Sequence, residues 1–336
     1  MRVCELQTEF GIGSLKLVDH PEPTIKPGHV RLRMKAWSLN YRDLMVVRGQ
    51  YNPKLKFPFI PLSDGVGEVV EVGEGVDSVK VGTRVCPLFM PLWQSGPLTD
   101  AHGKSALGGA WPGVLADSVV LPAAGVTTVP EHLTDAEAAT LPCAAVTAWH
   151  ALVTDGQIQP GDTVLIQGTG GVSLFALQFA LLAGATVIAT SSSDEKLARV
   201  LKMGAAHGIN YRTQPDWEVA VRDYTKGVGV RHIVEVGGAG TLGRSLKAVQ
   251  TAGTISLIGV LSGGTGEVNP LPILMKNIRV QGIYVGSGEM FAAMNRAITR
   301  HQIRPTIDRS FRMEEVQAAF RHLESGRHFG KVVIEA

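Results

Sequence analysis

Two rhythms of apolar and polar residues divide this chain. In its middle, short apolar runs alternate with longer helix-like segments, with strands expected near Thr163, Thr186, Gly208, His232, Thr254 and Ile278. Helical segments are expected between them at Val172, Glu195, Trp217, Leu242 and Leu271. Strands joined by helical crossovers predict an α/β fold, a doubly wound parallel sheet. Nearer the start, Val30 to Met34, Gly65 to Val72 and Arg84 to Pro87 read as short strands split by Gly and Pro turns, the pattern of a small antiparallel barrel. After Gly288 come an amphipathic helix from Met290 to Arg300, a second from Met313 to Ser325, and a last strand from Lys331 to Ile334. The expected organisation is one domain made from residues 1–125 and 288–336, with residues 126–287 forming the parallel sheet.

The run TVLIQGTGGVS, Thr163 to Ser173, carries the first chemistry. Gly168 permits a sharp turn after the strand, Gly170 permits close approach to a pyrophosphate, and the helix beyond offers unpaired N–H groups to that anion. Ser173 stands where the usual fingerprint has a third glycine, and it is small enough to keep helix and strand close. About twenty residues on, where an NAD-preferring chain usually carries an acid, this one has Ser191, Ser192 and Ser193. Hydroxyls there, with Lys196 and Arg212 nearby, favour the 2′-phosphate of NADP(H), and NAD(H) stays open. The same serines also suit the cap of a helix beginning near Asp194.

Composition narrows the class. The chain has 336 residues and a net charge of +2, with no basic run and no aromatics interleaved with Lys or Arg, so nucleic acid is not an expected partner. The first residues, MRVCELQTEF, alternate like a strand and lack the apolar segment of a signal peptide. The apolar stretch from Val172 to Ala189 is broken by Ser173, Gln178 and Gly184, so no membrane span is expected. Three scattered cysteines, Cys4, Cys86 and Cys143, do not make a disulfide framework, and a reducing cytoplasm is the expected location.

Motifs along the whole length resemble the medium-chain dehydrogenase/reductase superfamily. They are LSDGVGEVVEVGEGV at Leu62 to Val76, VKVGTRV at Val79 to Val85, ATLPCAAVTAWHAL at Ala139 to Leu152, GTGGVS, and GRHFGKVVI at Gly326 to Ile334. The resemblance implies a GroES-like antiparallel β-barrel catalytic domain, a Rossmann coenzyme domain and hydride transfer. It also bears on metal. Where the zinc branch, the zinc-type alcohol dehydrogenases, carries its ligands, this chain has Asn40, Ser63 and Cys143, and the lobe after Cys86 has no cysteine cluster. A catalytic zinc needs three protein ligands, so no metal is expected.

Without a metal to polarise a carbonyl, an acceptor that is already activated is favoured: a quinone, an enone or another conjugated carbonyl. LNYRDLMVVRGQY, Leu39 to Tyr51, is similar to the quinone oxidoreductase branch. That similarity implies that Asn40 and Tyr51 line the substrate pocket beside the nicotinamide. Asn40 would donate to the developing oxyanion, and Tyr51 or a water would supply the proton. Tyr41 is a second candidate, in a place that also suits packing. Asn40 also suits a helix cap, Asp43 the orienting of neighbours, Cys143 a buried apolar role, and His150 a packing role on an apolar helix face.

The resemblance further implies that Thr147, Gly170, Gly171 and Val172 meet the coenzyme, and that Tyr211 and Arg212 flank its adenosine phosphate. Val260, Ser262, Tyr284, Val285, Ser287, Phe329 and Lys331 would border the nicotinamide. A small-molecule substrate and a homodimer are expected, the latter through a sheet edge formed by Ile278 to Val285. Two other functions stay open: a metal-free alcohol dehydrogenase or ketone reductase, and a coenzyme-binding or structural protein with little turnover.

Overall fold

The computed structural model describes residues 1–336. The chain divides into two compact units, Met1–Val146 with Val285–Ala336, and Thr147–Tyr284.

The first unit opens with an antiparallel pair, β1 (Arg2–Leu6) and β2 (Leu15–Asp19). Its main sheet begins with β3 (His29–Leu39), whose side chains at Val30, Leu32, Met34 and Ala36 are buried in alternation with more exposed ones. Such period-two burial is what a strand with one face on a core requires. Helix α1 (Tyr41–Val47) follows directly. Then come β4 (Asp64–Val72), β5 (Arg84–Pro87), β6 (Ser118–Pro122) and β7 (Val126–Thr128). Two single-turn helices, α2 (Asp100–Gly103) and α3 (Asp135–Ala138), are each capped by a threonine, Thr99 and Thr134.

Between Leu141 and Thr154 the chain is helical throughout, with π-helical turns at Leu141–Ala145 and His150–Thr154 on either side of α4 (Val146–Trp149).

The second unit is one parallel sheet of six strands: β8 (Thr163–Gln167), β9 (Thr186–Ser191), β10 (His207–Asn210), β11 (Val230–Glu235), β12 (Val249–Leu257) and β13 (Arg279–Gly282). The spatial order is β10-β9-β8-β11-β12-β13, the doubly wound order of a Rossmann sheet. Its crossovers are α5 (Gly171–Leu182), α6 (Asp194–Lys202), α7 (Trp217–Tyr224), α8 (Ala239–Ala248) and α9 (Leu271–Met275). Leu165, Ile188, Ile233 and Ile255 are fully buried at the centre of its core, as the apolar central strands predict.

The chain then returns to the first unit with α10 (Gly288–His301), β14 (Ile307–Arg312), α11 (Val316–Glu324) and β15 (Lys331–Glu335). The order of this GroES-like sheet is β14-β15-β3-β4-β5-β7, with β6 on β3. It is antiparallel except for β14 with β15, a parallel pair that the sequence pattern does not announce. Two boundaries differ from expectation. Residues 126–146 belong with the first unit because β7 pairs with β5 and Cys143 binds β4. Val285 and Ser287 also fall in the first unit, where Ser287 caps α10.

Candidate active site

In the first unit a buried polar cluster forms where three strands meet. Ser38 on β3 stands opposite Asp64 on β4 and Val333 on β15, so the register brings the start of β15 to the end of β3. Asn40 follows β3 at the N-cap of α1, as the capping reading expects. Asp43, three residues on, accepts the Asn40 backbone N–H at 2.8 Å and so does orient its neighbour. The Asn40 side chain is used differently. Its Oδ1 accepts from Lys331 Nζ at 2.5 Å, and the same ammonium donates to Leu39 O at 2.7 Å.

Asp64 gathers the other residues. Its carboxylate accepts from Ser63 Oγ at 2.7 Å and from the Cys143 N–H at 3.0 Å. Burial pushes the Asp64 carboxyl up, opposed chiefly by Lys331 and then by Ser63, Asn40 and the Cys143 N–H. Burial likewise pushes Asp43 up to about 6, with Arg42 opposing and Asp64 adding to the rise. The Cys143 thiol is pushed far up by burial and by Asp64, so it stays protonated. Two of the three zinc-branch positions hold the Asn40 amide and the Ser63 hydroxyl, each already bonded to a neighbour, and the Lys331 ammonium lies against that amide, a poor donor set for a divalent cation. These residues do not fit a catalytic zinc.

Tyr41 and Tyr51 keep about two fifths of their surface exposed, so neither is a core residue. The Arg42 guanidinium lies 5.4 Å from the Tyr51 ring centre and 4.4 Å from that of Phe89, and it donates to Leu107 O. Cation–π contact of this kind holds a ring in place. Nothing in the sequence singles out Arg42 or Phe89, and for Asp64 the one signal is its position inside LSDG.

The second unit holds the glycine turn. Gly168 has φ +70 and a Cβ there or at Gly170 would meet no atom within 4 Å, so no side chain covers the turn. Gly170 is the N-cap of α5, whose first turn begins with Gly171 and Val172 and leaves backbone N–H groups unspent within the helix. The fit to a pyrophosphate is good. Ser173 donates from Oγ to Gln167 O at 2.6 Å, which ties α5 to the end of β8.

At the end of β9, Ser191 is buried and its carbonyl accepts the Tyr211 N–H at 3.0 Å. Ser193 caps α6, accepting from Lys196 N at 3.3 Å, and Ser192 lies between them. Tyr211 and Arg212 are exposed just after β10, where Arg212 N–H donates to Asn210 Oδ1. Arg212 therefore follows the residue whose backbone is tied to the serine run, and Asp194 accepts from Asn210 Nδ2 at 2.7 Å.

Beyond β11 and β12 two turns interlock. Ser262 N–H donates to Gly237 O at 2.7 Å and Leu261 N–H to Val236 O at 3.1 Å, while Val260 is exposed. Gly238 has φ +84, and a Cβ there would lie 2.7 Å from Gly263 O, so no other residue fits without a shift. One buried carboxylate holds this place together. Glu235 accepts from Gly237 N–H, Gly238 N–H and Thr241 Oγ1 with one oxygen and from Gln167 Nε2 and Ser245 Oγ with the other.

The remaining expected contacts fall on several different elements. Thr147 is buried on the helical stretch that includes α4, and Tyr284 is partly exposed beyond β13. His150, half-buried, lies in the second π-helical turn. Val285 is buried at φ +56, and the Ser287 hydroxyl accepts from Met290 N at 3.3 Å. Phe329 is fully buried with its N–H on Asp308 at 2.9 Å.

A GroES-like unit carrying this polar cluster and a Rossmann unit with an uncovered glycine turn define a medium-chain dehydrogenase/reductase. Residues 26–131 match the alcohol dehydrogenase GroES-like domain, and residues 171–300 match the zinc-binding dehydrogenase family. The chain is 42% identical over 332 residues to a zinc-type alcohol dehydrogenase-like protein of Schizosaccharomyces pombe, covering 97% of this chain and 96% of that protein. The crystal structure of a putative alcohol dehydrogenase from Sinorhizobium meliloti 1021 superposes with TM-score 0.92 at 44% identity, covering 99% and 98% of the two chains. Quinone oxidoreductase-like protein 2 of Bos taurus is 28% identical, over 94% of this chain and 86% of its own. The chain belongs to the zinc-type alcohol dehydrogenase-like family within this superfamily, and it is an oxidoreductase.

Proposed function

We propose that the protein is an NADPH-dependent, zinc-independent reductase that passes hydride to a quinone or an activated alkene such as an enone. The observation that carries this reading is the Asn40 amide, bonded through Oδ1 to Lys331 at a place where the resemblance implies a metal ligand. An amide N–H supports a delocalised oxyanion, an enolate or hydroquinone anion, without a Lewis acid. Likeness to a quinone oxidoreductase-like protein supports the acceptor class.

When bound, the nicotinamide coenzyme would supply the hydride. Gly168, Gly170, Gly171 and Val172 would hold its pyrophosphate, and Ser191, Ser192, Lys196 and Arg212 its 2′-phosphate. Asn40 donates to the acceptor's oxygen, and Tyr51, held by Arg42, orients the acceptor and delivers the proton from its hydroxyl. The edge strand β13 would pair with a second copy in a homodimer.

NADPH and NADH oxidation is measured with a quinone, an enone and a simple aldehyde, alongside zinc content and light scattering. Turnover of the first two with NADPH and no stoichiometric zinc is expected. Turnover with the aldehyde alone would replace this reading with a metal-free alcohol dehydrogenase, and tight NADPH binding with no turnover would replace it with a binding protein.

A further inference from the structure

Lys331 is only 4% exposed, and its ammonium donates to Leu39 O at 2.7 Å and to Asn40 Oδ1 at 2.5 Å. An ammonium has three donors and no acceptor. The end of the Asn40 amide that faces it is therefore the oxygen, and Nδ2 is turned away. Rotating the amide by half a turn would set its NH2 against the ammonium, replacing a charge-assisted bond with opposed donors. Nδ2 is buried and finds no acceptor at hydrogen-bond geometry, although the amide lies near enough to Asp64 to help hold that carboxyl down. Asp64 and Asp43 supply the negative charge that lets an ammonium stay buried here.

We propose that Lys331 is a positioning residue that fixes the Asn40 amide with its oxygen inward, so that Nδ2 is the donor presented to the acceptor's developing oxyanion. The inference rests on Asn40 acting as that donor, and it assigns Lys331 to Asn40 instead of to the coenzyme. A donor-only partner is the feature that matters. Arginine preserves it, whereas a glutamine amide accepts as readily as it donates and leaves either orientation of Asn40 satisfied.

The test compares Lys331→Gln and Lys331→Arg in the full chain. Turnover is read with NADPH and 2-methyl-1,4-naphthoquinone, NADPH affinity by coenzyme fluorescence, and the amide itself by 15N–1H spectra. The Asn40 side-chain resonances are identified by their loss in Asn40→Asp. Lys331→Gln is expected to lower kcat about tenfold or more while the NADPH Kd stays within about twofold, and to shift or double the Asn40 resonances. Lys331→Arg is expected to keep kcat within about threefold and a single Asn40 pair. A Lys331→Gln enzyme with full kcat and unmoved Asn40 resonances would overturn the proposal, as would a kcat loss matched by an equal loss of NADPH affinity. Should Asn40→Ala keep full kcat, the oxyanion reading fails by itself, and the spectra still decide whether Lys331 sets the amide.

Discussion

Ser173 Oγ donates to the Gln167 carbonyl at 2.6 Å, so the residue that breaks the glycine fingerprint also fastens α5 to β8. Replacing it with glycine to restore the motif should therefore weaken the protein. Ser173→Gly loses a buried hydrogen bond and adds a flexible residue inside a helix, together about 1–2 kcal/mol. Urea unfolding should show that loss, and NADPH affinity should change by less than about twofold. A gain of stability would contradict the bond's role.

Glu235 accepts from two backbone N–H groups, the Gln167 NH2 and two hydroxyls, all donating to it, a demand that the two oxygens of a carboxylate meet. Glu235→Gln turns an NH2 group toward another donor and should cost about 2–4 kcal/mol in the second unit. Thermal unfolding measures it. An unchanged midpoint would show that the turns after β11 and β12 stand without the brace.

Asp43 has its carboxyl pushed up to about 6 from an ordinary 3.8 by burial. The folded protein therefore binds a proton there more tightly than the unfolded chain. Its contribution is fully present below about pH 4 and fades as pH rises toward 6. Asp43→Asn carries no such proton, so its stability relative to the parent should improve across that window, by about 1–3 kcal/mol. Denaturant titrations of both proteins at the two ends of the window give the difference. A constant offset would place the Asp43 ionisation outside it.

Arg212 stands exposed after β10, next to Tyr211, whose N–H is held by the Ser191 carbonyl. Arg212→Ala should weaken NADPH about fivefold or more and leave NADH unchanged, because one charge-assisted bond to a phosphate is removed. Fluorescence titration with both coenzymes decides it. Equal effects on the two would move the 2′-phosphate elsewhere.

Ala252, exposed within β12, adopts φ +56. Glycine tolerates that conformation, so Ala252→Gly should raise stability by about 0.5–1 kcal/mol after its own entropic cost. A lower melting temperature would show that Ala252 is not strained.

The parallel sheet was legible because the apolar strands of the second unit alternate with helical periods, and glycine turns follow some of them, as at Gly168 and Gly237. The barrel strands with alternating residues, such as Val30 to Met34, were legible for a related reason. β14 was not, since IDRSFR buries a single residue fully and owes its strand to the neighbouring β15. Asn40 and Tyr51 came from resemblance to a motif. Lys331 came from the same resemblance as a neighbour of the nicotinamide, but its bond to Asn40 and the Arg42–Phe89 contact did not, because strand register and packing make them and no local spacing encodes those.

Asn40 and Lys331 are separated by 291 positions in the chain. During synthesis the two buried acids of this cluster are made long before the ammonium that balances them. Until β15 joins β3, an emerging chain would hold Asp43 and Asp64 protonated or leave them in water. Assembly of the candidate reaction centre is then one of the last folding events of the first unit, limited by a contact of very high sequence separation.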